Sequence, residues 1–262
     1  MLQLRKSIHL DSLRQPFKKA IVTAAQLGAE AVEINGLGEV RASNLSRTGI
    51  RQIKKMLSDL NLSVAAIYFP TQSGYGDLNR LDQRIDGTKA TLKLAYDLGC
   101  RVVVNRLGQI PDQVQDPVWS TMVQALMDIG NFSQRAGAWL AARTGSESGE
   151  VLKGFIDALP PQCLMVDFDP AALVINRFSA SEAMEALSEH VISFRARDAV
   201  VDLSLGRGVE VQLGRGSVDW PGLLGALEEK QYQGFLTVER QSAEDPVREC
   251  GEALQYLTNL FR

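Results

Sequence analysis

Short apolar runs alternate along the chain with longer stretches in which apolar residues recur every three or four positions. The short runs, rich in β-branched and aliphatic residues, are typical of buried strands, and the longer period is typical of amphipathic helices. The pattern predicts eight strands, at residues 7–10, 29–35, 63–69, 101–105, 138–143, 163–169, 191–198 and 234–239. A stretch of helical periodicity follows each strand.

The helical stretches carry recognisable start signals. Ser179 and Asp219 precede apolar faces in positions suited to N-caps, and Asp245-Pro246 combines an N-cap with proline at the first helical position. The predicted helices lie around 17–24, 50–60, 81–98, 118–136, 151–159, 179–190 and 220–230, with the last beginning at 246. Eight strand–helix units in 262 residues predict an α/β fold, a single (β/α)8 TIM barrel that forms one domain over 1–262.

Two glycine-rich features change this picture locally. Gly28 and Gly99 each stand directly before a strand, where glycine fits the left-handed conformation that ends a helix. After strand seven, a Gly-rich loop is predicted to extend to Asp219. Its segments 206–208 and 214–216 both read Gly-Arg-Gly, and the second could bind phosphate through backbone amides before the next helix. A flexible lid is the alternative for this loop.

Composition and charge exclude several classes of protein. Apolar residues make up 45% and charged residues 23% of the chain, a balance typical of soluble globular proteins. The net charge is −3, and no basic tract is present, which argues against a nucleic acid partner. No apolar run approaches the roughly 18 residues that span a bilayer, so no membrane partner is expected. The three cysteines are far apart, which is typical of reduced thiols and predicts a cytoplasmic location.

Active sites of TIM barrels lie at the carboxyl ends of the strands, so polar residues that follow the apolar runs are site candidates. Charged candidates are concentrated in the second half of the chain. The strand ends supply His9, Glu33, Asn35, Tyr68, Asn105, Arg106, Arg143, Asp167, Asp169, Arg195, Arg197, Asp198, Glu239 and Arg240.

The same strand ends carry a family resemblance. Residues 213–239 contain G-x-G-x-x-D-W followed by Y-x-G-x-L-x-x-E, and strands five, six and seven end in LAARTG (140–145), VDFDPAAL (166–173) and ISFRARDA (192–199). Together these segments resemble the xylose isomerase-like TIM barrels, a superfamily of sugar isomerases and epimerases, over nearly the whole chain. The resemblance implies the barrel fold and a small carbohydrate or anionic ligand.

The resemblance also implies a divalent cation held by Glu, Asp, His and Glu on strands five to eight. Here Asp169 and Glu239 occupy two of these positions, but Arg143 replaces the first glutamate and Arg195 the histidine. Arginine cannot deprotonate to become a ligand, and a dication about 5 Å from one guanidinium costs roughly 6–7 kcal/mol at an effective dielectric of about 20. We therefore expect no metal and no other cofactor, with the arginines paired to Asp169 and Glu239 in a nearly neutral set.

Each candidate residue has a catalytic or binding role and a structural alternative. In an enzyme, Glu239 would exchange a proton and Arg143 or Arg195 would stabilise an enediolate oxygen. Alternatively, Glu239 is a salt-bridge partner and the arginines only link strands at the barrel mouth. The residues expected to contact a substrate are Asp169, His9, Glu33, Tyr68, Asn105 and Arg197.

Three functions follow from these observations. The first is a metal-independent isomerase or epimerase of a small sugar, sugar acid or sugar phosphate. The second is a non-catalytic protein that binds or senses an anionic sugar on the same barrel. The third, DNA repair as in the endonuclease branch of the superfamily, fits worst because it needs several metal ions and a basic face. A homodimer is a further expectation that the sequence leaves open.

Overall fold

The predicted strands close into a parallel barrel. A computed structural model describes residues 5–202 and 207–260. The strands are β1 (Arg5–His9), β2 (Ala31–Asn35), β3 (Ser63–Tyr68), β4 (Val102–Asn105), β5 (Trp139–Arg143), β6 (Met165–Phe168), β7 (Val191–Ala196), β8 (Asp198–Asp202), β9 (Arg207–Val211) and β10 (Phe235–Val238). In the barrel, β1 to β7 are hydrogen-bonded to one another in sequence order, and β10 closes the barrel between β7 and β1. Every neighbouring pair is parallel. The predicted (β/α)8 TIM barrel is confirmed.

Helices cover the outside of the barrel. They are α1 (Phe17–Gln26), α2 (Arg47–Asp59), α3 (Leu81–Leu98), α4 (Pro117–Ala136), α5 (Gly149–Asp157), α6 (Pro170–Ile175), α7 (Ala180–Leu187), α8 (Trp220–Glu229) and α9 (Pro246–Asn259), with short 3-10 helices at Leu10–Leu13, Ala42–Asn44 and Ser188–His190. The short α6 was not predicted. In the part of the chain that the structure describes, no helix combines the length and the apolar character needed to cross a membrane.

The helix ends follow the sequence signals. The side chains of Ser179, Asp219 and Asp245 each accept a hydrogen bond from the backbone amide three residues ahead, so the three predicted N-caps are present. Gly28 and Gly99 both have φ of +85°, which L side chains rarely adopt. The N-caps fix where three helices begin, and the two glycines end α1 and α3 shortly before the next strand.

The apolar core lies mainly between the strands and the surrounding helices. Inside the barrel, Ala66, Val104 and Ala141 form a small separate apolar cluster, and the hydroxyls of Ser7 and Thr237 lie 2.7 Å apart. Side chains alternate between the two faces of a strand. The last inward-facing positions are therefore left for polar residues at the carboxyl end of the barrel.

The Gly-rich segment after strand seven is partly a β-hairpin. Strand β7 ends at Ala196, and β8 pairs with β9 in antiparallel fashion. The predictions that strand seven continues to residue 198 and that a loop follows it were therefore wrong. Gly208 allows the hairpin to approach α6 closely, because a Cβ there would lie 2.8 Å from the Cα of Ile175. The predicted role of Gly206 lies outside the described residues.

The loop around Gly214 and Gly216 binds a carboxylate of the chain itself. The amides of both glycines donate to Asp198 Oδ2 at 3.0 Å. The amide of Val218 donates to Oδ1 at 3.2 Å, and Trp220 Nε1 lies 3.4 Å from Oδ2. Because these donors are already bonded to Asp198, the loop does not form the predicted phosphate site.

Candidate functional site

Charged side chains at the carboxyl ends of the barrel strands are almost completely buried. The inward-facing ones come from β1, β2 and β5 to β7, and from the residues that follow β6, β7 and β10. Each of these residues is at most 5% exposed. The set consists of His9, Glu33, Arg143, Asp167, Asp169, Arg195, Arg197 and Glu239. Buried ions are tolerated only when they are paired and hydrogen-bonded, so the contacts among them define the site.

Arg195 is fully buried and contacts three carboxylates. Its Nη1 and Nη2 donate to the two oxygens of Glu33 at 2.5 and 2.6 Å. Its Nε donates to Asp167 Oδ2 at 2.7 Å, and Nη1 also donates to Glu239 Oε2 at 3.1 Å. The sequence predicted a pairing with Glu239, whereas the closest contacts of Arg195 are with Glu33 and Asp167.

Arg143 joins the remaining acids. Its Nε and Nη2 donate to Asp169 Oδ2 at 2.9 and 2.6 Å, and Nη2 also donates to Glu239 Oε2 at 2.9 Å. The pairing of this arginine with both acids agrees with the sequence expectation. Its third nitrogen, Nη1, is buried and has no hydrogen-bond partner among the described residues. The site therefore contains a charged donor that the protein leaves unused.

A second line of ion pairs leads from the barrel mouth to the hairpin. Arg197 Nη1 donates to Asp169 Oδ2 at 2.6 Å, and its Nε donates to Glu210 Oε1 at 3.1 Å. Glu210, on β9, also pairs with Arg240 at 3.2 Å. The sequence interpretation missed Glu210 because it lies in the segment predicted as a loop. The set is thus larger than the two arginines and two acids expected.

The β1–β3 side of the mouth is organised around His9. His9 and Glu33 are register partners on β1 and β2, and His9 Nδ1 lies 2.6 Å from Glu33 Oε1. His9 Nε2 lies 3.8 Å from Oδ2 of Asp11, to which Asn35 Nδ2 donates at 2.6 Å. The Tyr68 ring meets the His9 ring edge-on, with centroids 5.4 Å apart.

Tyr68 and Asn105 differ in their relation to the ion pairs. The Tyr68 ring centroid lies 5.7 Å from Arg143 Cζ and 5.8 Å from Arg195 Cζ, within cation–π range. Asn105 follows Val104 on the other face of β4, and its Nδ2 donates to Tyr75 Oη at 2.8 Å. The structure therefore brings Tyr68 into the charged cluster and turns Asn105 away from it.

The family model of the xylose isomerase-like TIM barrels matches residues 21–260. The chain belongs to this family. The resemblance noted in the sequence is confirmed by this match, which covers most of the chain. No curated protein matches the chain by sequence.

Several solved structures share the fold. A xylose isomerase domain protein from Planctomyces limnophilus has a TM-score of 0.85 and 22% identity, covering 99% of this chain and 96% of its own. A xylose isomerase-like protein from Mycobacterium smegmatis in complex with magnesium has a TM-score of 0.77 and 15% identity, with coverages of 99% and 96%. A D-allulose 3-epimerase from Methylomonas sp. in complex with D-allulose has a TM-score of 0.76 and 15% identity, with coverages of 99% and 98%.

The ion pairs shift the pKa values of the buried groups at this site and so determine which of them are ionised. Burial alone would raise the pKa of Glu239, but the guanidinium groups of Arg143 and Arg195 keep it well below its usual range. Burial raises the pKa of Asp167, and Arg195 offsets this only in part. Burial lowers the pKa of His9, but its hydrogen bond to Glu33 and the charge of Glu33 outweigh burial, so the pKa is raised. The cluster thus keeps Glu239 ionised and favours a protonated imidazole.

Glu147 is a further carboxyl group that the sequence interpretation missed. It lies on the loop that follows β5, and its Oε2 is buried with no partner among the described residues. Burial raises its pKa to about 7. Nothing in the pattern of the loop TGSES signals this, because the shift arises from tertiary burial.

Asp169 and Glu239, the two carboxylates at which the resemblance implies metal ligands, already accept hydrogen bonds from arginines. Asp169 Oδ2 accepts from Arg143 and Arg197, and Glu239 Oε2 accepts from Arg143 and Arg195. Across residues 5–202 and 207–260, no group of three or more His, Cys, Asp or Glu side chains is arranged to hold a metal ion.

Proposed function

We propose that this chain binds a small carbohydrate at the carboxyl end of its barrel, without a divalent cation, and that it is a binding protein rather than an isomerase. The observation that carries the proposal is the unpartnered Nη1 of Arg143. A buried donor without a partner costs about 1–3 kcal/mol, and a carbonyl or carboxylate oxygen of a ligand would remove that cost. Because guanidinium groups favour carboxylates, a sugar acid is the ligand class that fits best.

The donor set does not fit a divalent cation. A metal at the position implied by the family would need lone pairs of Asp169 and Glu239 that now accept hydrogen bonds from guanidinium groups. Arginine stays charged at every accessible pH and would repel the cation. In this proposal the positive charge that a metal supplies elsewhere comes from Arg143 and Arg195.

The same contacts argue against proton transfer by Glu239. A carboxylate whose pKa lies well below its usual range is a weak base. Its Oε2 accepts from two guanidinium groups, and its Oε1 accepts from Gln241 Nε2 at 2.7 Å. The position at which the resemblance implies the first glutamate is taken by Arg143, which cannot pass a proton. Binding therefore fits the geometry better than isomerisation.

Two of the similar structures bear on the proposed ligand class and on the proposed absence of a metal. The Methylomonas epimerase is solved with D-allulose, and the Mycobacterium smegmatis barrel is solved with magnesium. We infer a carbohydrate ligand from the first likeness and from the polar mouth, and we expect the magnesium of the second to have no counterpart here.

Thermal denaturation with a small ligand panel tests the proposal. We expect D-gluconate to raise Tm, a neutral sugar such as D-allulose to raise it less, and MnCl2 to leave it unchanged. A ligand at 100 times its Kd adds about 2.7 kcal/mol of stability. Stabilisation by MnCl2, or one bound Mn²⁺, Mg²⁺ or Zn²⁺ per purified chain, would contradict the metal-free site.

Variants of Arg143 locate the binding. Arg143→Lys keeps the charge but loses the planar fork, so D-gluconate binding is expected to weaken. Arg135→Gln, an exposed substitution on α4, is the control and should bind as wild type. Incorporation of solvent deuterium into a sugar of the panel, abolished by Glu239→Gln, would instead establish an isomerase or epimerase.

A further inference from the structure

We propose that His9 and Asp11 form a subsite that binds one hydroxyl group of the ligand, on the β1–β3 side of the barrel mouth. This subsite rests on the proposed carbohydrate-binding function and adds a specific contact to it. His9 Nε2 and Asp11 Oδ2 lie 3.8 Å apart, which is too far for a direct hydrogen bond but suits an oxygen atom bonded to both. A hydroxyl can accept from Nε2 and donate to the carboxylate, since it carries both functions.

The imidazole is fixed in the orientation that this contact requires. His9 Nδ1 lies 2.6 Å from Glu33 Oε1, and both oxygens of Glu33 accept from Arg195. Glu33 therefore cannot turn away from the ring without breaking its two hydrogen bonds to the buried Arg195 guanidinium. With Nδ1 bound to Glu33, Nε2 is the nitrogen left for a ligand. The raised pKa of His9 favours the protonated ring, in which Nε2 is a donor.

Asp11 supplies the matching acceptor and the access from solvent. Asn35 Nδ2 donates to Asp11 Oδ2 at 2.6 Å, and Asn35 Oδ1 accepts from the amide of Leu37 at 2.9 Å. The side chain of Asp11 is 54% exposed, whereas that of His9 is 6% exposed. The pair thus spans the boundary between the buried cluster and solvent, where a ligand enters.

The surrounding charges favour a neutral hydroxyl over an anion at this position. The carboxylates of Asp11, Glu33 and Glu239 lie near His9, and those of Glu33 and Glu239 favour its protonated form. The charge of Arg195 opposes the protonation of His9. A negative group between His9 and Asp11 would meet the Asp11 carboxylate. A hydroxyl carries no such penalty, and it gives a hydrogen bond to each side.

The two contacts together define a ligand with separate ends. Tyr68 lies between them, with its ring centroid 5.4 Å from the His9 ring and 5.7 Å from Arg143 Cζ. An acid or carbonyl oxygen would bind Arg143 Nη1, and a hydroxyl further along the same molecule would bind His9 and Asp11. Hydroxylated acids are therefore preferred over simple carboxylates of similar charge.

Histidine NMR tests this directly, because the chain has only two histidines. Imidazole resonances are assigned with His190→Gln and followed during titration with D-gluconate or propionate. We expect D-gluconate to shift the His9 resonances and propionate to leave them in place. Asp11→Ala should weaken D-gluconate binding about five- to tenfold, the effect of losing one hydrogen bond. Asp59→Ala is the matched control, because its side chain is 59% exposed and lies on α2.

Each result separates the subsite from the wider proposal. D-Gluconate that stabilises the protein without shifting His9, or that binds Asp11→Ala as tightly as wild type, overturns the subsite and leaves carbohydrate binding intact. Propionate that shifts His9 as D-gluconate does overturns hydroxyl recognition. If D-gluconate neither stabilises the protein nor shifts His9, both proposals are overturned. A His9 shift that saturates at the same D-gluconate concentration in Arg143→Lys as in wild type supports the subsite and counts against the Arg143 contact.

Discussion

Glu239 is the carboxylate shared by the two arginines that stand where the family resemblance implies a glutamate and a histidine, since its Oε2 accepts from both Arg143 and Arg195. Glu239→Gln would remove the negative charge that both buried guanidinium groups contact. We expect the free energy of unfolding at pH 7 to fall by about 3–5 kcal/mol, the usual cost of breaking a buried ion pair. Urea denaturation measures it, and Glu252→Gln, at a half-exposed pair on α9, is the control.

The same variant has a defined pH dependence. The folded-state pKa of Glu239 lies below its ordinary value of 4.5, so its contribution is complete above that pH and is lost as the pH falls through the lower folded value. The stability difference between wild type and Glu239→Gln should therefore be full at pH 7 and shrink below about pH 4.5. A difference that does not change with pH would contradict this account.

The stability contribution of Glu147 depends on pH with the opposite sign. Burial raises its pKa from 4.5 to about 7, so the group has no effect on stability below about pH 4.5, and its penalty on the folded state grows between about pH 4.5 and 7 and is complete above about pH 7. Glu147→Gln should be more stable than wild type by about 1–3 kcal/mol at pH 8, and equally stable at pH 4. Thermal or urea unfolding at the two pH values measures this. Equal stability of the two proteins at pH 8 would show that the Glu147 carboxylate has a partner.

At the scale of elements, apolar runs with β-branched residues were sufficient to predict all barrel strands, because both faces of each strand are covered. The hairpin was missed because β8 (DAVVD) and β9 (RGVEV) are not continuous apolar runs, one contains Gly208, and both pack on α6. The N-caps were predictable because a cap depends on local spacing alone. The carboxylate bound by the Gly-rich loop was not predictable, because Asp198 lies sixteen residues before Gly214.

The loop that binds Asp198 gives a test at this scale. Asp198→Ala would leave the buried amide of Val218 and the part-buried amides of Gly214 and Gly216 without their acceptor, at about 1–3 kcal/mol for each donor that water does not reach. We expect a loss of more than about 3 kcal/mol in unfolding free energy. Asp219→Ala, which removes only the N-cap of α8 nearby, should cost about 1 kcal/mol. Equal effects of the two substitutions would mean that water replaces the Asp198 carboxylate.

At the scale of the whole molecule, the charged mouth depends on contacts across the barrel that no sequence pattern reveals. Pairing of Arg143 with Asp169 was predictable, because both positions lie at the ends of neighbouring strands β5 and β6. The double contact of Arg195 with Glu33 was not, since β7 and β2 are not neighbours in the barrel. The sequence therefore indicated which charges are present, and closure of the barrel determines how they pair.

Reversion of the two arginines tests this whole-barrel view. Arg143→Glu with Arg195→His restores the residue types that family likeness implies for a metal, but it also removes the counterion of Glu33 and Asp167. We expect the double variant without metal to be less stable than wild type by at least about 3–5 kcal/mol, and MnCl2 to recover part of that loss by binding the folded state. Thermal unfolding with and without MnCl2 measures both effects. The exposed pair Arg135→Glu with Arg248→His is the control. If MnCl2 stabilises wild type as much as the double variant, the guanidinium groups do not exclude the cation. The proposal that Arg143 and Arg195 replace a metal is then wrong.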